Sequence, residues 1–146
     1  MRSRLIAWLL RACAALPLPL AHAVGTLIGW GLVLIPNELR RISRINIPVC
    51  LPELDPAQQR RLLRASLIES GKTMSEAGAL WLWPAPRVLA LVKAVSGEEH
   101  LRAALAAGKG AILATPHLGA WEMMGLYSSP HYPITSLYRP PRLSAI

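Results

Sequence analysis

Residues 12–35, "ACAALPLPLAHAVGTLIGWGLVLI", run for 24 positions without a formal charge. As one helix they would reach about 36 Å, more than the roughly 30 Å of a bilayer's hydrocarbon core. Pro17 and Pro19 oppose a single uninterrupted helix, because each lacks an amide donor and crowds the preceding turn. The cleaner helical part is therefore 20–35, short for an upright span and equally suited to lying in the interface. Within it "GTLIG", from Gly25 to Gly29, offers a small-residue face for close helix contact. The alternative is a cleaved leader, since "MRSR", an apolar stretch and "AHA" at 21–23 have its three parts. Arg11 splits that apolar region and strong hydrophobicity resumes from Val24 to Ile35, so we expect residues 1–35 to be retained as a membrane anchor or interfacial helix.

Basic residues flank this stretch on both sides: Arg2, Arg4 and Arg11 before it, Arg40, Arg41 and Arg44 after it. They give no orientation by the positive-inside rule. Across the 146 residues, 16 basic side chains, most of them arginine, face 8 acidic ones, for a net charge of +8. That balance favours an anionic partner such as phosphate, a lipid head group or an acidic protein. Nucleic acid is not expected, because no recognition helix or regular basic and aromatic interleaving accompanies the charge. Cys13 and Cys50 show no pairing rhythm and no CxxC, so neither a disulfide framework nor a cysteine metal site is supported.

After a basic linker at 36–54, the character changes at Asp55. Asp55 can cap a helix, Pro56 suits its first position and Gln58 completes a reciprocal capping box. Leu63, Leu67, Met74, Ala77 and Trp81 predict one broad packing face, with an irregularity at Gly71 and a stop at Pro84. "RVLALVKAV", 87–95, reads equally as strand or buried helix. Ser96 and Glu99 predict a second capping box, and Gly108 the end of the helix it opens. "AILAT", 111–115, reads as a buried parallel strand and "ITSLY", 134–138, as a second, with a crossover around 117–133. This order predicts an α/β fold: a membrane-associated helix, then over 55–146 the first part of a mixed sheet with flanking helices.

His117 follows immediately after the first expected strand, where open α/β sheets place their ligands. Gly119 and Ala120 leave room at the backbone, and Glu122 falls in the first turn of the next helix. A carboxylate on one imidazole nitrogen would fix the tautomer and leave the other to accept a proton from an alcohol. Helix capping or packing accounts for the same two residues, and two candidate ligands without a third make a poor metal site. The chain has no seryl nucleophile elbow, Walker sequence or GxGxxG fingerprint, and no cofactor is expected. Arg139 and Arg142 follow the second expected strand, and their planar donors suit a phosphorylated substrate. Tyr138 packs beside that edge or finishes the strand.

"GKGAILATPHLGAWE" and "PITSLYRPPR" together resemble the late acyltransferases of lipid A biosynthesis, of the lauroyl and myristoyl type. "RINIPVCLPEL" and the arginine-rich helix after it resemble that family's join between anchor and catalytic domain. The resemblance implies transfer of a fatty acyl group from acyl carrier protein to a hydroxyl of a phosphorylated glycolipid, a lipid A precursor, at the cytoplasmic face of the bacterial inner membrane. It puts the catalytic pair on His117 and Glu122, with Arg139, Arg142, Tyr138 and Gly119 toward the substrate. Two departures stand against it: Ala120 replaces the family's usual asparagine, and members of the family are longer. On that basis the chain reads as the N-terminal portion of such an enzyme, inactive by itself. The competing reading is a noncatalytic membrane-binding or interaction fragment.

Overall fold

The computed structural model describes residues 2–137, which divide into a first compact unit up to Leu82 and a second beginning at Trp83. Among the described residues the first unit holds four helices: α1 (Arg2–Ala15), α2 (Leu18–Leu34), α3 (Glu38–Cys50) and α4 (Pro56–Leu82). Their limits follow the local chemistry. Pro17 caps α2 and Pro19 sits in its first turn, which separates α2 from α1. Asn37 caps α3: its Oδ1 accepts from the Arg40 amide at 2.9 Å, while its Nδ2 donates to the carbonyls of Leu32 and Ile35 and holds the end of α2. The segment read as a linker thus contains a helix, bent 76° from α2. At Asp55 the expected capping box forms in full, with the Ala57 and Gln58 amides donating to Asp55 Oδ1 and the Asp55 amide to Gln58 Oε1. α4 ends at Leu82, two residues before Pro84, and runs through Gly71 without a break.

α4 is the spine of this unit, and α1, α2 and α3 all pack on it. The face it buries is not the one its large residues mark. Met74 and Trp81 are about half exposed, whereas Gly71, Ser75 and Gly78 are buried with Leu67. Small residues win because the helix backbones all but touch. A Cβ placed on Gly29 would lie 2.5 Å from Ile68 Cα, one on Gly71 would lie 2.8 Å from Gly29 Cα, and one on Gly78 would lie 2.5 Å from the Leu10 carbonyl. Both glycines of "GTLIG" therefore serve the close contact that their spacing suggests. The Ser75 hydroxyl, at 1 % exposure, donates to the Lys72 carbonyl of its own helix and leaves no polar cost in the seam. Beside the seam His22 of α2 meets Glu76 of α4 at 2.9 Å.

The outer faces of these helices stay apolar. Trp8, Leu27, Leu34, Ile35 and Val49 are all more than half exposed. Among the described residues no single helix is long and apolar enough to cross a membrane; α2 and α3 reach that length and composition only as a bent pair.

The second unit corrects the expected fold. It consists of α5 (Ala85–Leu89), α6 (Glu98–Ala106) and α7 (Glu122–Ser128), with α5 against α7, and no strand occurs among the described residues. The α/β mixed sheet is therefore overturned. "AILAT" and the described part of "ITSLY" run without regular structure, and Ile112 is 98 % exposed. An apolar run records a demand for burial, but a strand exists only where a second backbone accepts and donates its hydrogen bonds, and none does so here. "RVLALVKAV" divides between α5 and an irregular stretch. The second capping box is also absent. Gly97, in the left-handed region at φ +79°, caps α6 without a side-chain bond, although Gly108 ends the helix region as expected with φ +69°.

Candidate active site

The chain leaves the irregular segment 111–116 through Thr115 and Pro116 and turns sharply, with the Leu118 amide donating to the Pro116 carbonyl at 2.8 Å. Gly119 then takes φ +58°, a conformation that L side chains rarely adopt, with open space where a side chain would stand. α7 starts three residues later at Glu122. This places His117 on the solvent side of the turn and Glu122 in the first turn of the helix, half-buried.

His117 and Glu122 are joined by neither a hydrogen bond nor an ion pair. The imidazole instead packs edge-on against Trp121, ring centroids 4.5 Å apart and planes 77° from each other. Trp121 was missed in the sequence, although its place four residues after His117 was visible. Glu122 borders a cavity of about 630 Å³ whose walls are largely apolar: Leu101 and Leu105 of α6, Leu113, Trp121, Met124 and Ile134. Thr115 lines it too, and His117 does not. Tyr138, Arg139 and Arg142 lie outside the described residues. Among the described residues no group of three His, Cys, Asp or Glu side chains could hold a metal ion.

A polar cluster in the same unit escaped the sequence reading. Glu98, at the start of α6, accepts from Tyr132, from Arg102 at 3.2 Å and from Tyr127 at 3.4 Å, which ties α6 to α7 and to the segment after it. Glu98 and Arg102 stand four apart, a readable helical pair, but the tyrosines are 29 and 34 residues away. The bond from Tyr132, and after it that from Arg102, holds the Glu98 carboxyl below its usual range. The same contact with Glu98 raises the Tyr132 phenol. A lowered carboxyl stabilises the fold fully above the ordinary glutamate range, near pH 4.3 on average, and loses that contribution as pH falls through the lowered folded value. Glu98→Gln should therefore lower the melting temperature at neutral pH, and the two proteins should converge in acid. A difference that persists unchanged at the acid end would show that the carboxylate charge is not its source.

A histidine beside a carboxylate-bordered apolar cavity is a site suited to an enzyme that handles an apolar substrate. The family model described as bacterial lipid A biosynthesis acyltransferase matches residues 3–144, and the chain belongs to that family. It is 25% identical over 125 residues to the lipid A biosynthesis lauroyltransferase of Escherichia coli K12, covering 86% of this chain and 40% of that protein. It is 26% identical over 132 residues to a lipid A biosynthesis acyltransferase of Haemophilus influenzae, covering 89% of this chain and 42% of that one. A phosphatidylinositol mannoside acyltransferase of Mycolicibacterium smegmatis is 35% identical over 104 residues, 70% of this chain and 32% of its own length. The chain thus spans about two fifths of the length of the lipid A relatives it matches. No solved structure matches it.

Proposed function

We propose that the protein transfers a fatty acyl group from acyl carrier protein to a hydroxyl of a lipid A precursor, at the cytoplasmic face of the inner membrane. The observation that carries this reading is the family match over residues 3–144. The exposed His117 at a glycine-enabled turn, with Glu122 bordering an apolar cavity, supports it. His117 takes the proton from the acceptor hydroxyl as the oxygen attacks the thioester carbonyl carbon. A new C–O ester bond forms, the C–S bond breaks, and the imidazolium returns the proton to the departing thiolate. Glu122 orients the imidazole and stabilises its charged form, which requires the ring to exchange Trp121 for the carboxylate. The apolar cavity suits an acyl chain, and Gly119 leaves the turn open to the acceptor. In this reading Arg139 and Arg142 engage the acceptor's phosphate, and Tyr138 contributes to the same substrate-binding segment. The names of the relatives span lipid A and phosphatidylinositol mannoside, and both acceptors are glycolipids, which is the class assigned here.

Membranes carrying the protein expressed from its complete gene should incorporate label from acyl-loaded carrier protein into a lipid A precursor. Absence of incorporation above empty membranes, with the protein present by immunoblot, would overturn the activity.

A further inference from the structure

The first unit contains a second concave site, far in character from the one above. A groove of about 650 Å³ lies where the end of α2 and the start of α3 meet the first turns of α4. Its rim carries Arg40 of α3 and Arg60, Arg61 and Arg64 of α4, and its floor includes Val33 and Leu67. Among the described residues none of the four guanidinium groups is paired with a carboxylate: the ion pairs seen in this unit are His22 with Glu76, Arg41 with Glu38, and Lys72 with Glu69. Four cations around one groove repel each other weakly through water, and a bound anion would turn that repulsion into attraction. Guanidinium groups present paired donors that match the oxygens of a phosphate.

We propose that this groove seats the phosphate head group of an anionic membrane lipid. Two features favour a lipid over an acidic protein. The floor is apolar, which suits the glycerol and upper acyl carbons of a lipid. The helices that form the groove also expose apolar side chains next to it in sequence, with Leu34 72 % and Ile35 65 % exposed at the end of α2 and Leu39 and Ile42 on α3. A phosphate at the rim and these residues among acyl chains is the arrangement of a basic helix pair at an interface. The inference concerns binding alone and stands apart from the acyl-transfer reading.

The test uses the detergent-solubilised protein from the complete gene, titrated with mixed micelles that carry fluorescent phosphatidylglycerol or fluorescent phosphatidylcholine. The wild type should prefer phosphatidylglycerol. At low salt an arginine at a lipid surface is worth roughly fivefold in affinity, so the triple variant Arg60→Gln/Arg61→Gln/Arg64→Gln should lose on the order of 100-fold for phosphatidylglycerol and little for phosphatidylcholine. A control of equal charge change in the second unit, Arg87→Gln/Lys93→Gln/Lys109→Gln, should keep the preference. Equal losses in both triples would reduce the effect to net charge and overturn the site. So would a groove variant that keeps its phosphatidylglycerol binding while losing affinity for acyl carrier protein, which would assign the groove to an acidic protein. Should the triple fail to keep its helical circular dichroism, the single variants Arg60→Gln and Arg64→Gln carry the test at about fivefold each, and no loss in either overturns it.

Discussion

Replacing His117 with alanine should lower acyl transfer by about 10²–10⁴-fold while leaving the fold intact, because that is the usual contribution of a positioned general base. The side chain is exposed, and among the described residues it makes no hydrogen bond and has its ring contact with Trp121, itself 38 % exposed. Its removal therefore costs little stability, and a loss of turnover would report on chemistry. Glu122→Gln gives the companion measurement. If the carboxylate orients and stabilises the imidazolium, this variant should fall less steeply than His117→Ala, and the double variant should be no worse than His117→Ala alone, as expected for residues acting as one unit. Unchanged turnover in His117→Ala would remove the histidine from the mechanism and leave the family assignment standing.

Gly71→Leu should be the most disruptive single change in the first unit. Even a Cβ at this position would meet Gly29 Cα at 2.8 Å and the Gly25 carbonyl closer still, and both are backbone atoms that cannot rotate aside. Relief requires α2 and α4 to separate, which strips contacts along the whole seam. We expect a cost of about 3 kcal/mol or more, at the upper end of overpacking effects, and a fall in the melting temperature of more than about 10 °C for a unit of this size. Gly31→Ala is the matched control. No atom lies within 4 Å of where its Cβ would stand, so it should be neutral or raise stability by up to about 1 kcal/mol through helix propensity. Similar melting temperatures for wild type and Gly71→Leu would show that the seam is not as close as described.

Punctuation was the most legible part of this chain. Pro17, Asp55 with Gln58, Pro84 and Gly108 all act within a few residues of themselves, so local chemistry suffices to place them. Which face of α4 turns inward was not legible in the same way. Apolar size pointed to Met74 and Trp81, yet the partner helix approaches along Gly71, Ser75 and Gly78, and closeness of approach is a property of two helices together. "AILAT" failed for a related reason, since its apolar pattern says nothing of whether another backbone stands alongside. At the candidate site, the turn at Gly119 and the helix starting at Glu122 were readable from small residues and spacing. The pairing of His117 with Trp121 rather than Glu122 was not, because side-chain rotation decides it.

The glycine seam of the first unit carries a consequence for where that unit can keep its shape. Most protein cores are held together by expulsion of water, and they loosen when a nonpolar solvent surrounds them. Here the contact between α2 and α4 is largely backbone against backbone, through Gly25, Gly29, Gly71 and Ser75, so much of its attraction comes from close packing that does not depend on expelling water. The same helix pair should therefore hold in water, in detergent and among lipid tails. A chain with such a seam can be transferred between those surroundings as a preassembled body, with only its outer side chains exchanging one medium for another.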